Sequence, residues 1–187
     1  MLWQCGAASE INMSYSEVLT VGGQQIIRET LGAKRGVRPT MTITRPLKDT
    51  GERPRLACPG ICETKEAFDE ISILSALAGV AFVAYDQPRV WLPITVEGAQ
   101  DLRVSSTINA INTTNDLFDG RGVIAQPHSL GGVDVAYAEP ELTPKVMPEV
   151  TFMAAAGLRK NSALGLWFNT QIGIVSEAHD MGVNQGA

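Results

Sequence analysis

The sequence predicts an α+β fold, mainly β: antiparallel β-sandwich or barrel-like sheets with one principal amphipathic helix at about residues 64–78. Three observations predict it. Two strand-like runs, Val18-Leu19-Thr20-Val21 and Gln24 to Arg28, flank a Gly22-Gly23 pair, a turn signal that favours a hairpin. Short runs of alternating apolar and polar residues recur between breakers, and 18 glycines and 10 prolines are spread along the chain. A sustained helical period is legible only after Thr64.

Residues 1–12 show no period and read as an N-terminal arm, followed by a single β-rich domain at 13–175, with a subdivision near 109–122, and a polar tail at 176–187. After the hairpin, Glu29 to Pro39 is rich in glycine and charge and reads as a long loop carrying Lys34, Arg35 and Arg38. Thr40 to Thr44 is a short strand, and Arg45 to Pro54 a polar, proline-broken connection. The helix is expected to open at Thr64, whose hydroxyl can accept a backbone N–H of the first turn. Phe68, Ile71, Leu74 and Ala78, widened by Ala67 and Leu77, form its apolar stripe, and Gly79 stops it.

Val80 to Tyr85 is apolar on both faces and reads as a central strand. Val90 to Val96, with Trp91, returns as an edge strand because Pro93 removes a ladder donor. Leu102, Val104, Ser106 and Ile108 alternate as a half-buried strand, Asn109 to Gly122 is a polar turn region, and Val133, Val135 and Tyr137 mark another strand. Val150 to Met153 begins a strand. Leu164, Leu166, Phe168, Ile172 and Ile174 line one face of the clearest alternating run, with Trp167 on the other.

A chain of 187 residues with 44% hydrophobic residues can bury one sizeable core. At 19%, charged residues fall below the ~25% usual for soluble domains, which suits a subunit covered by neighbours. No run of about 18 apolar residues predicts a membrane span, and Met1 to Ser9 lack the pattern of a secretory signal, so a soluble, unsecreted chain is expected. The formal charge of −5 is uneven. Arg28 to Lys65 holds nine basic and four acidic residues, so it carries +5 and the remainder −10. No aromatic residue falls between Tyr15 and Phe68, so the basic segment lacks a base-stacking platform. Contact between the basic loop of one copy and the acidic face of another accounts for the same asymmetry, and nucleic acid is the less favoured partner.

Cys5, Cys58 and Cys62 are too few for a disulfide framework, and no metal or other cofactor is expected. His128 sits in the turn Gln126-Pro-His-Ser-Leu-Gly-Gly132 and His179 in the tail. No Gly-x-Ser-x-Gly is present, and neither histidine reads as part of a strand–turn–helix elbow, so no catalytic residue is predicted. An enzyme built on Cys58, Cys62 and His128 is the least favoured alternative. Trp91 and Trp167 are assigned to subunit contacts, with Lys34, Arg35 and Arg38.

The Leu19-Thr-Val-Gly-Gly hairpin, the helix around Phe68-Asp-Glu-Ile-Ser-Ile-Leu, and Ala81-Phe-Val-Ala-Tyr-Asp-Gln-Pro-Arg-Val-Trp resemble the β-sandwich-plus-helix pattern of bacteriophage tail tube and distal tail proteins over the first 110 residues. The resemblance implies a non-enzymatic virion subunit, assembled into a ring or tube with copies of itself and other virion proteins in the host cytoplasm. Capsid or decoration proteins share the same features.

Overall fold

The computed structural model describes residues 13–34, 38–60, 63–87 and 98–155. The chain builds one mixed sheet with helices on both faces, which corrects the predicted antiparallel sandwich. Strands β1 (Met13–Val21) and β2 (Gln24–Leu31) form the hairpin around Gly22-Gly23, and β3 (Met41–Pro46) extends it antiparallel. Strands β4 (Arg55–Cys58), β5 (Phe82–Tyr85) and β6 (Ile124–Ser129) are parallel to one another, with β5 and β6 on either side of β4. Two short strands, β7 (Glu149–Val150) and β8 (Met153–Ala155), both add parallel to β6. The order across the sheet is β1-β2-β3-β5-β4-β6-β7.

Parallel neighbours require long crossovers, and three helices supply them. A 3₁₀ turn (Lys65–Phe68) runs into α1 (Asp69–Leu77) between β4 and β5. Helix α2 (Ala99–Leu117) links β5 to β6, and α3 (Gly131–Ala138) follows β6 directly. Alternate strand residues therefore feed two cores. Leu56, Cys58, Val83 and Tyr85 pack with Ala110, Ile111 and Val135 on the α2/α3 face, while Ala57, Phe82 and Ala84 meet Phe68 on the α1 face. Burial on both faces explains why Val80 to Tyr85 reads as continuously apolar.

Four assignments from the sequence change. The run from Leu102 to Ile108, read as a strand, and most of the turn region after it are helix α2. Its buried residues are Arg103, Ser106, Thr107, Ala110, Ile111 and Thr114, a helical stripe made mostly of polar and small side chains, while Leu102 is exposed. Val133 to Tyr137 is helix α3, seated by Gly131, Gly132, Val133, Val135 and Ala138. Of the predicted stripe Phe68 is buried, but helix α1 itself buries Ser72, Ser75 and Ala76 and leaves Ile71 and Leu74 exposed. Small residues let it lie close on β3 and β5, where the Thr44 hydroxyl bonds that of Ser72 at 3.2 Å. Thr64 makes no side-chain cap; the Asp86 carboxylate at the end of β5 accepts the Lys65 N–H instead, at 3.0 Å. Gly79, at φ +87, ends the helix. The predicted strands at 90–96 and 164–174 lie outside the described residues. Among the described residues, no helix is long and apolar enough to cross a membrane.

Candidate active site

The chain leaves β4 for β5 on one side, then returns across β4 to β6 on the other. Such a reversal opens a crevice at the C-terminal ends of the strands, where parallel sheets place their ligand sites. Two segments meet there: Cys58-Pro59-Gly60, leaving the end of β4, and Ser129-Leu130, leaving the end of β6. Cys58 pairs with Pro127, so Ser129 stands two residues past the last β4–β6 pair.

Ser129 is the last residue of β6 and has φ +48; among the described residues only Asp119 is another non-glycine with positive φ. That conformation is uncommon for a side-chain-bearing residue and marks a local strain. Strand gives way to helix α3 within two residues, so the chain turns sharply and carries the Ser129 hydroxyl at its apex. The turn closes only because the neighbouring positions are small. A Cβ on Gly131 would sit far inside contact distance of the Cys58 carbonyl oxygen and 2.9 Å from that of Pro59. A Cβ on Gly60 would lie 2.6 Å from Ser129 Cβ and 3.1 Å from its Oγ. The loop after β4 thus passes directly against the serine. Leu130 follows at the start of α3, where backbone N–H groups have no partner inside the helix.

Glu63 ties the two loops together. Its Oε2 accepts the Gly60 N–H at 2.5 Å, and its Oε1 stands 2.5 Å from His128 Nδ1. Nδ1 makes no directed hydrogen bond, so the attraction to Glu63 is one of charge, present when the ring holds both protons.

Beneath the elbow lies a buried polar cluster. Asp134 of α3 accepts from Arg103 Nε of α2 at 3.1 Å and from Gln87 Nε2 at 3.1 Å, and the Tyr85 hydroxyl meets that of Thr107 at 2.7 Å. Burial outweighs the Arg103 guanidinium and raises the Asp134 carboxyl to about 6. Burial also pushes the Cys58 thiol up and holds the Tyr85 phenol well above its ordinary value. Cys58 is a free thiol, fully buried and protonated, which removes it as a nucleophile or ligand in the predicted thiol or metal alternative. Cys62 lies outside the described residues.

A cavity of about 330 Å³ opens at the opposite end of the sheet, near Ile43, Ala81 and Phe118. Its arginines are matched, Arg45 with Glu29 and Arg121 with Asp49. Neither Ser129 nor His128 lines this cavity.

Of the residues predicted to make subunit contacts, Arg35, Trp91 and Trp167 lie outside the described residues. Lys34 and Arg38 pair as an isolated bridge between β2 and β3, with Lys34 exposed and Arg38 buried and donating to the Gly32 carbonyl at 3.0 Å. Because Met41 pairs with Tyr85, this connection is at the same rim of the sheet as Ser129. The basic segment is also less free than its composition implies: Arg28 pairs with Asp69, Arg45 with Glu29, and Lys65 with Asp86. The sequence reading missed Ser129, Gly60 and Glu63. The signal was present, since His128-Ser-Leu-Gly-Gly comes only two residues after the apolar run Val123-Ile-Ala, but Pro127 stands where the first glycine of the elbow pattern is expected.

No family model matches the chain, and no curated protein is similar to it in sequence. Solved structures do match. A sugar hydrolase from Lactococcus lactis superposes with a TM-score of 0.53 at 10% identity, over 70% of this chain and 54% of that one. The thermophilic carboxylesterase EstE1, cloned from a metagenomic library, gives 0.51 at 16%, over 94% and 65%. A probable hydrolytic enzyme from Pseudomonas aeruginosa PAO1 gives 0.50 at 16%, over 81% and 45%. The chain has the α/β-hydrolase fold. It spans between 45% and 65% of the length of these three structures.

The hydrolase fold overturns the resemblance to phage tail proteins, which rested on a hairpin, a helix and a strand that also occur in order within this sheet. With it fall the expectations of a non-enzymatic virion subunit, of the capsid alternative and of a virion location. In the hydrolase fold, a serine at a strand-to-helix elbow is positioned for nucleophilic attack, with backbone N–H groups nearby to hold an oxyanion.

Proposed function

We propose that this chain is a serine hydrolase that cleaves carboxylic esters, with Ser129 as the nucleophile. The observation that carries the reading is Ser129 itself, at φ +48 on the turn between β6 and α3 and pressed against the loop after β4. The Ser129 hydroxyl oxygen attacks the ester carbonyl carbon while its proton passes to a base. The carbonyl oxygen becomes an oxyanion, held by the Leu130 N–H and by an N–H of the loop between β4 and α1. Collapse releases the alcohol and leaves an acyl-serine, which water hydrolyses to the acid and free Ser129. His179 is proposed as the base. The chain has two histidines, His128 is turned to Glu63, and His179 follows Ser129 in the order that this kind of site uses; it lies outside the described residues. The fold similarity to a carboxylesterase supports the choice of ester over other acyl substrates.

The test is reaction of the chain with a fluorophosphonate probe and with short-chain p-nitrophenyl esters. A single adduct on Ser129, with hydrolysis falling at least about 10³-fold in S129A and in H179A, is expected. Wild-type turnover no faster than S129A, or an adduct on another residue, overturns it.

A further inference from the structure

We propose that Glu63 is a positioning residue for this site, one carboxylate that sets the spacing between the oxyanion loop and the nucleophile elbow; the inference rests on the serine-hydrolase reading. Its two oxygens serve two different segments. Oε2 holds the Gly60 N–H, and Gly60 is the residue whose missing Cβ leaves room for Ser129. Oε1 faces the ring of His128, the residue immediately before Ser129. Neither contact closes a helix or a strand ladder, and neither segment is otherwise joined to the other through side chains among the hydrogen bonds of the described residues. The ladder that does join them ends at Cys58 and Pro127. Beyond that pair, Glu63 is the bridge.

The geometry explains the residue type. Glu63 is three residues after Gly60, so its carboxylate returns to the loop's own backbone, and its second oxygen reaches across to the elbow. Aspartate is one methylene too short to keep both contacts. Glutamine keeps an oxygen for Gly60 and loses the charge that attracts His128. The loop's N–H groups must face the point where the oxyanion forms, and an error of about 1 Å there costs on the order of 10²-fold in rate. Glu63 therefore acts on the chemical step and leaves substrate affinity nearly unchanged.

The experiment uses the 187-residue chain and measures the rate of fluorophosphonate labelling at Ser129, with kcat and KM on a p-nitrophenyl ester, for wild type, E63A, E63Q, H128Q and the E63A/H128Q double variant. The expected result is a fall in kcat and labelling rate of about 10- to 100-fold in E63A, with KM within about twofold. E63Q should recover part of the loss, and the double variant should be no slower than E63A by the full H128Q factor. Thermal melts on each variant read folding separately. Labelling of E63A at the wild-type rate, or a loss that appears in KM alone, overturns the inference while leaving the hydrolase reading intact. A loss in rate that tracks the melting temperature across the set, with no recovery in E63Q, also overturns it. Absence of labelling at Ser129 in the wild type overturns both.

Discussion

At the scale of the residue, Ser129 and its neighbours show how a reactive side chain is presented by backbone constraint. The φ of +48 at Ser129 is tolerated because Gly131 lets α3 begin against the Cys58 carbonyl. G131A should therefore cost about 3 kcal/mol through overpacking against backbone that cannot yield, measured as a lower urea midpoint. Asp134 makes a different prediction. Its carboxyl titrates near 6 in the folded chain and near 3.8 unfolded, so between those values the folded state holds a proton that the unfolded state has released. Stability should then fall as pH rises through that window. Denaturation at several pH values from 4 to 7 checks the sign, and D134N should flatten the slope. Cys58 yields a third expectation. Its thiol is buried and held protonated, so iodoacetamide should leave it unmodified in the folded chain and alkylate it after unfolding, as read by peptide mass spectrometry.

At the scale of the element, α2 shows that a helix can be seated by polar residues. Thr107 bonds the Tyr85 hydroxyl and the Arg103 carbonyl, and Thr114 bonds the Ala110 carbonyl, so their hydroxyls are satisfied while their methyls pack. Ile111 is the large apolar side chain at the centre of this face, fully buried in the main core. I111A should cost about 2–5 kcal/mol, whereas L102A, on the exposed side of the same helix, should cost less than about 0.5 kcal/mol. Denaturant titration of the pair tests the assignment of faces directly. If Leu102 proved the costlier loss, the alternating strand reading would be the better description of this segment.

At the scale of the molecule, the sheet sets an order of protection. Strands β4, β5 and β6 lie at the centre, and their alternate residues are buried against helices on both sides. Strand β1 has one partner and exposes Tyr15 and Val18. Opening of the central strands requires loss of both cores, so native-state hydrogen exchange should find the slowest amides in Leu56–Cys58, Phe82–Tyr85 and Ala125–Gln126, and the fastest strand amides in β1. The same order accounts for the site. The reversal at β4 brings two loops to one crevice although about 70 residues of chain separate Gly60 from Ser129.

What the sequence determined by itself was local. The Gly22-Gly23 hairpin, the helix stop at Gly79 and the two-faced apolar strand before Asp86 are each written in residues close to one another, where turn chemistry and side-chain period act. Parallel pairing was not legible, because a strand buried on both faces carries no mark of its partner's direction. Helices α2 and α3 were hidden for a related reason: their buried faces set a few large apolar residues, Ile111, Val133 and Val135, among Gly, Ser, Thr and Ala, which small gaps beside a sheet accept and which apolar counting passes over. The candidate site was the most hidden of all. Ser129, Gly60 and Glu63 acquire a joint meaning only when β4 and β6 lie side by side, since the strain, the close approach and the bridging carboxylate are properties of two distant segments in contact.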